Sequence, residues 1–157
     1  MIDTAHADAV RALEVAFSDV LQEFRRVYAH MASAVSPGML PPTLKVLISV
    51  SRCGSTTASE LADRLSADKA QVSRSVNELE ELGLIARTPD ALDGRIKLIS
   101  ITEQGAERLA EARRPYEGRL GRTVADWPAD RILQAAEFLA ALVEPDPAPS
   151  SLPDSSS

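Results

Sequence analysis

The sequence predicts a mostly α-helical fold with one small β-hairpin, in which a central region is flanked by helices at both ends. Apolar residues recur every three or four positions through most of the chain, which is the spacing of one helix face. The spacing changes to two only after Gly83, which indicates strands. Hydrophobic residues make up 45% of the 157 residues but aromatic residues only 4%, so the core must be mainly aliphatic. A chain of this length corresponds to one ordinary domain.

The composition narrows the class of protein. The single cysteine excludes an internal disulfide framework. Charged residues interrupt the first twenty positions, which argues against a signal peptide. No apolar run reaches the roughly 20 residues that a membrane span requires. We therefore expect a cytoplasmic protein with no membrane partner. The net charge of −6 and the pI near 4.9 argue against a broadly basic nucleic-acid-binding surface.

The first predicted element is a helix of about 30 residues that lies within residues 3–35. Its apolar stripe has alternating steps of three and four residues and consists of Val10, Leu13, Phe17, Val20, Phe24, Val27, Met31 and Val35. Such a helix can pack across its own domain, or partly against a second copy of the chain. The length of the stripe favours the second arrangement, which predicts a homodimer.

Three shorter helices are predicted next. The second helix opens on the proline pair at 41–42, since proline suits a first helical turn. Residues 57–60, "TASE", form a capping box that starts the third helix. A break at 66–68 separates it from the fourth helix, for which Asp68 is the predicted N-cap. Gly83 ends the fourth helix.

A hairpin and two further helices complete the chain. Residues 84–88 and 95–101 are predicted strands, joined by the turn-forming stretch "PDALDG". Thr102 starts a long helix that contains Pro115, and we expect a bend or a weakened stretch near its middle. Another helix begins around Pro128, and the tail rich in proline and serine, residues 145–157, is expected to be disordered.

The third and fourth helices and the hairpin together form a winged helix-turn-helix. In this arrangement the first helix of the pair braces the second, whose N-terminal half can enter the major groove of DNA. The hairpin then reaches the neighbouring minor groove, where an arginine is attracted by concentrated negative potential. The pattern therefore predicts double-stranded DNA as a partner.

The candidate DNA-binding residues follow from their positions on these elements. At 100° per residue, Val72, Val76 and Leu79 of the fourth helix face the core. The opposite side carries residue types that bind base edges, with Gln71, Ser73 and Glu78 flanking it. At the hairpin tip, we expect Asp93 to hold the Arg95 guanidinium through a bidentate pair. The predicted DNA-binding set is Lys69, Gln71, Ser73, Arg74, Asn77, Arg87, Asp93, Arg95 and Lys97.

Residues 57–105, "TASELADRLSADKAQVSRSVNELEELGLIARTPDALDGRIKLISITEQG", resemble the MarR family of bacterial winged-helix regulators. The resemblance rests on an ordered set of motifs: a Leu-Ala helix, a V-S-R recognition helix, an L-E-x-x-G-L exit and a D-x-R wing. The next helix starts with "ITEQG" where the family has L-T-x-x-G. Two departures are Ser75, where a leucine is usual, and Glu78, at a position that is often basic.

The resemblance implies a homodimeric repressor that binds a near-palindromic DNA duplex and is released by a small ligand or an oxidant. It implies a single domain over residues 1–144, with the winged helix-turn-helix at about 40–101. The flanking segments, 3–35 and 102–144, would form the dimer. From Thr57 to Ile101 there are six basic and eight acidic residues, a net charge of −2. That acidity keeps an alternative open, namely a winged-helix interaction protein that has lost sequence-specific DNA binding.

The resemblance to the MarR family also implies a pocket for a small aromatic or phenolic effector. This pocket would lie where the first, second and fifth helices meet the winged domain. Its candidate lining residues are Tyr28, Met31, Leu47, Arg113 and Tyr116. The alternative interpretation is that Tyr28 and Met31 belong to the dimer core and that Arg113 is a solvated charge.

Other chemistry is weakly represented in the sequence. Cys53 lies beside Arg52, which can activate a thiol, but an ordinary small side chain at a helix end explains it as well. The two histidines, His6 and His30, have no partners at metal-ligand spacing, so we expect neither a metal nor a cofactor. No catalytic arrangement is recognisable, and we expect no enzyme.

Overall fold

The computed structural model describes residues 4–143, and the chain divides into two compact units, Met1–Pro115 and Tyr116–Ser157. The tail predicted at 145–157 lies outside the described residues.

The first unit contains five helices and one hairpin among its described residues, which confirms the predicted fold class. In chain order the elements are α1 (Thr4–Val35), α2 (Pro41–Cys53), α3 (Ala58–Leu65), α4 (Lys69–Glu81), β1 (Ile85–Pro89), β2 (Lys97–Ile101) and α5 (Glu103–Arg113). Strand β1 starts one residue later, and β2 two residues later, than the sequence predicts.

The core of the first unit is aliphatic, as the low aromatic content predicts. Its largest fully buried hydrophobic side chains are Leu44, Leu47, Leu61, Leu79, Leu84, Ile99, Leu109, Val35, Val50, Val72 and Val76. Helix α1 contributes buried residues only near its C-terminal end, where Met31, Ala32 and Val35 lie. The rest of its predicted stripe, from Val10 to Phe24, is exposed.

The two strands pair antiparallel, with Ile85 opposite Ile101 and Arg87 opposite Ile99. A third segment joins this sheet, because the Thr56 amide donates to the Ile99 carbonyl at 3.0 Å and the Thr56 carbonyl accepts from the Ile99 amide at 2.7 Å. The sequence did not predict this bridge, since a single paired residue has no periodicity. The bridge attaches the start of the helix pair to the base of the hairpin.

Helix α5 begins in close contact with the end of α4. Thr102 donates its amide to the Leu84 carbonyl (3.0 Å) and its hydroxyl to the Gly83 carbonyl (2.7 Å). Thr102 also caps α5 by accepting from the Gly105 amide at 3.0 Å. A Cβ atom on Gly105 would lie 2.1 Å from the Leu84 carbonyl oxygen. Only glycine therefore permits this approach of the two backbones.

The prediction of one continuous helix after Thr102 is wrong, because α5 ends at Arg113. A 3-10 turn (Arg114–Tyr116) follows, and then α6 (Arg119–Thr123) and α7 (Ala129–Ala141). Pro115 lacks an amide hydrogen and its ring obstructs a continuing helix. Gly118 adopts a left-handed φ of 68°, so the helix is interrupted here and not merely bent.

Candidate nucleic-acid interface

Helices α3 and α4 each begin at a side-chain cap. The Thr57 hydroxyl accepts from the Glu60 amide (3.3 Å), and the Glu60 carboxylate accepts from the Thr57 amide (2.8 Å), which confirms the predicted capping box. The Thr57 amide and the Thr56 hydroxyl hold the pKa of Glu60 below its usual value. Ser66 makes the turn with a φ of 47°, and Asp68 Oδ1 caps α4 by accepting from the backbone amides of Ala70 (2.8 Å) and Gln71 (3.4 Å). The predicted N-cap is therefore confirmed.

Helix α4 has the two faces that its sequence predicts. Val72, Val76 and Leu79 are at most 1% exposed and pack into the core. The exposed side carries four of the predicted DNA-binding residues, which are Lys69, Ser73, Arg74 and Asn77. Since the opposite face is buried, these side chains form a polar strip that a partner can reach.

Two predicted base readers contact each other on this strip. The Arg74 guanidinium donates through Nη2 to Gln71 Oε1 at 2.9 Å. Gln71 itself is half-buried, because it also lines a shallow groove between α2 and α4. The pair holds the Arg74 side chain along the surface of the helix.

A hydrogen-bonded triad on the α2 side of α4 was not predicted. Thr43 donates its hydroxyl to Glu78 Oε2 at 2.9 Å, and its oxygen lies 3.2 Å from Ser75 Oγ. Because a threonine has one hydroxyl hydrogen, Ser75 must be the donor to Thr43. Glu78 therefore points to α2 and not along the exposed strip that the sequence assigned it to flank. Ser75, predicted at the edge of the core face, is 1% exposed.

Two further contacts, neither of them predicted from the sequence, lie between α4 and β1. Arg87 on β1 donates through Nη2 to Asn77 Oδ1 at 2.5 Å, and through Nη1 to Glu80 Oε2, with which it forms an ion pair. Sequence reasoning missed Glu80 as a member of the site. The available signal was the three-residue spacing of Asn77 and Glu80, which places both on one side of α4.

The hairpin tip is organised by two aspartates. Asp90 Oδ1 accepts from the amides of Leu92 (2.8 Å) and Asp93 (3.0 Å). The Asp93 and Leu92 amides lower the pKa of Asp90. Asp93 Oδ1 accepts from the backbone amide of Arg95 at 3.0 Å.

The predicted bidentate pair between Asp93 and the Arg95 guanidinium is wrong, because the carboxylate is used to close the turn. No ion pair involves Arg95 within residues 4–143. Its side chain is exposed, as is that of Lys97 at the start of β2. The tip thus presents an unneutralised guanidinium beyond the hairpin.

The predicted effector-binding residues have different environments. Met31 (6% exposed) and Leu47 (0%) lie in the core, while Tyr28 and Arg113 are partly exposed. Lys45 Nζ lies 5.9 Å from the centre of the Tyr28 ring. Tyr116 belongs to the second unit. These residues do not line the groove between α2 and α4, to which α2 contributes Pro42, Lys45 and Val46 and α4 contributes Gln71, Val72 and Ser75.

Residues 4–143 contain no group of three or more histidine, cysteine or acidic side chains arranged to hold a metal ion. Over the same range, none of the helices combines the length and the apolar character that crossing a membrane requires. Cys53 is a partly exposed free thiol at the end of α2.

Known proteins are similar to this chain in architecture and in sequence. A family model described as "MarR family" matches residues 38–96. The uncharacterized HTH-type transcriptional regulator Mb0904 of Mycobacterium bovis is 31% identical over 107 residues, which cover 66% of this chain and 75% of the relative. The chain belongs to the MarR family.

Further similarities support this MarR assignment. The HTH-type transcriptional repressor MdtR of Bacillus subtilis is 29% identical over 122 residues, covering 77% of this chain and 79% of the repressor. A cysteine-to-serine mutant of MarR from E. coli, solved in complex with operator DNA, shares the fold with a TM-score of 0.62. It is 24% identical, with 87% of this chain and 97% of that chain covered. MarR family proteins are transcription regulators and not enzymes, in agreement with the prediction from the sequence.

Proposed function

We propose that this MarR family member is a repressor that binds a pseudo-palindromic DNA operator as a homodimer. The observation that carries the proposal is the polar strip of α4, whose exposed residues Lys69, Ser73, Arg74 and Asn77 lie opposite a fully buried face. Arginine and asparagine side chains recognise guanine and adenine edges, and lysine at the helix start suits a phosphate. The exposed Arg95 at the hairpin tip supports a second contact in the minor groove.

The homodimer is supported by apolar surfaces on two helices. On α1, Val10, Leu13, Phe17, Val20 and Phe24 are each 37–58% exposed. On α7 no residue is buried, and the exposed large side chains are Ile132, Leu133, Phe138 and Leu139. Apolar stripes of this length mark protein interfaces. We assign residues 3–35 and 102–144 to dimerisation, and about 40–101 to DNA binding.

A two-fold dimer determines the form of the operator. Its two recognition helices would enter successive major grooves about 34 Å apart, so the half-sites should be separated by about one helical turn. The repressor MdtR among the relatives supports repression as the outcome of binding.

The proposal includes release by a small aromatic or phenolic effector. Its support is the partly exposed Tyr28 ring with the Lys45 ammonium group 5.9 Å away, since a cation beside an aromatic ring suits an aromatic acid or phenolate. Titration of salicylate into the protein–DNA complex tests this part, with loss of binding expected for the wild type and a weaker response for Tyr28→Ala.

The main test is selection from fragmented genomic DNA of the source organism at two salt concentrations. The wild type is compared with Arg74→Ala/Arg95→Ala and with the charge-matched control Arg26→Ala/Arg52→Ala, whose exposed arginines lie outside the strip and the hairpin. We expect the wild type and the control to enrich one near-palindromic sequence and the first variant to lose it. Each base-contacting arginine should contribute about 1–3 kcal/mol.

The same experiment distinguishes the alternative function. A folded dimer that enriches no sequence at either salt concentration, with or without salicylate, would indicate an interaction protein that has lost sequence-specific DNA binding. The net charge of −2 between Thr57 and Ile101 is the observation that favours this alternative.

A further inference from the structure

Arg87 is one of the predicted DNA-binding residues, yet its guanidinium group is already occupied within the protein. It lies on β1, beside the polar strip, with 29% of its side chain exposed. One nitrogen, Nη1, forms the ion pair with Glu80, and the other, Nη2, donates to Asn77 Oδ1 at 2.5 Å. Both partners belong to α4.

The two contacts neutralise the cation and engage a predicted base reader at the same time. A carboxylate presents oxygens to an arginine much as a phosphate does, so Glu80 occupies the place that a phosphate oxygen would take. An asparagine that reads adenine uses both its carbonyl oxygen and its amide nitrogen. While Asn77 Oδ1 accepts from Arg87, the Asn77 side chain is held by that contact. The contact must be exchanged before the side chain can bind a base with both of its polar atoms.

We infer that Glu80 is an intramolecular competitor of the DNA phosphate for Arg87, and that its exchange for phosphate releases Asn77 to read a base. The inference rests on the proposed DNA binding. It assigns to Glu80 a role in setting affinity that differs from general repulsion by the acidic surface. It also couples a sequence-independent contact, Arg87 to phosphate, to a sequence-reading one.

The exposure of the pair sets the size of the effect. With 29% of the Arg87 side chain and 40% of the Glu80 side chain exposed, the pair is a surface ion pair. Such pairs change an equilibrium constant by roughly 1.5- to 5-fold. Breaking the pair should therefore tighten DNA binding by a few-fold and not by orders of magnitude.

The test compares Glu80→Gln with Glu81→Gln on the DNA selected by the wild type. Glu81 is the next residue of α4, is exposed, and loses the same charge without a contact to Arg87. Fluorescence anisotropy should give a dissociation constant for Glu80→Gln that is about two- to fivefold lower than for Glu81→Gln. In an Arg87→Ala background this difference should disappear, because the guanidinium group for which Glu80 and the DNA phosphate compete is then missing.

Two results would overturn the inference while leaving the proposed function intact. One is equal affinity of the two glutamine variants, and the other is a difference that persists without Arg87, which would indicate direct repulsion between Glu80 and DNA. If neither the wild type nor any variant selects DNA, the proposed function fails and the inference fails with it. Circular dichroism and thermal melting establish that every variant is folded.

Discussion

The exposed stripe of α1 allows a quantitative prediction for dimerisation, tested by Phe24→Ala. Phe24 is 58% exposed, and an aromatic side chain has about 200 Å² to bury, so about 120 Å² remains available to a partner. At about 25 cal/mol per Å², and allowing for the methyl group that alanine keeps, the loss is about 2 kcal/mol per protomer. A two-fold interface contains the residue twice. The dissociation constant of the dimer should therefore rise by about three orders of magnitude.

Val15→Ala is the matched control for this prediction. Val15 is 59% exposed, almost the same as Phe24, but lies nine residues away, which is about 2.5 turns and hence the opposite side of α1. Sedimentation equilibrium or light scattering over a dilution series measures the dissociation constants. We expect Val15→Ala to dimerise like the wild type. Equal dissociation of the two variants, or no change in either, would refute the assignment of the stripe to the interface.

Three further predictions concern stability, measured by urea denaturation. Gly105→Ala should destabilise the protein by about 1–3 kcal/mol or more because its Cβ meets a backbone carbonyl at 2.1 Å, whereas Gly121→Ala, which meets nothing within 4 Å, should not. Thr43→Val should cost about 1–3 kcal/mol by leaving the buried Ser75 hydroxyl without its acceptor, and adding Ser75→Ala should recover part of this, unless the two hydroxyls are uncoupled. The hydrogen bonds that lower the pKa of Glu60 stabilise the fold at pH values above its usual pKa of 4.5, and this stabilisation is lost as the pH falls through the pKa of the folded state. Glu60→Gln should therefore lose less stability than the wild type on acidification, and parallel pH profiles would contradict this.

The sequence predicted those parts of the fold that depend on local rules. The caps at Thr57 and Asp68 were recognisable because a side chain bonds to an amide two or three residues away. The buried face of α4 followed from the spacing of Val72, Val76 and Leu79. Local spacing does not encode which way a long polar side chain turns when two faces are in reach. Glu78 was therefore predicted to flank the exposed side of α4 without its contact to Thr43 of α2.

The parts of the candidate site that escaped prediction depend on contacts between elements. Arg87 meets Asn77 and Glu80 only because β1 folds back beside α4, and no periodicity records that return. The pairing of Thr56 with Ile99 is similar, since one bridged residue leaves no pattern. At the hairpin tip the residue types were recognised, but Asp93 had two competing uses, and turn closure prevailed over pairing with the Arg95 side chain.

The contact between Gly105 and Leu84 has a mechanical consequence. No methyl group fits between the start of α5 and the exit of α4, and further along α5 the Arg108 guanidinium donates to the Val35 carbonyl at the end of α1. Helix α5 thereby connects α1 to the exit of α4 without a flexible hinge. In a dimer built on α1, the two winged helix-turn-helix regions would therefore be held at one fixed spacing. Inserting or deleting a few base pairs between operator half-sites would then abolish binding instead of being absorbed by the protein.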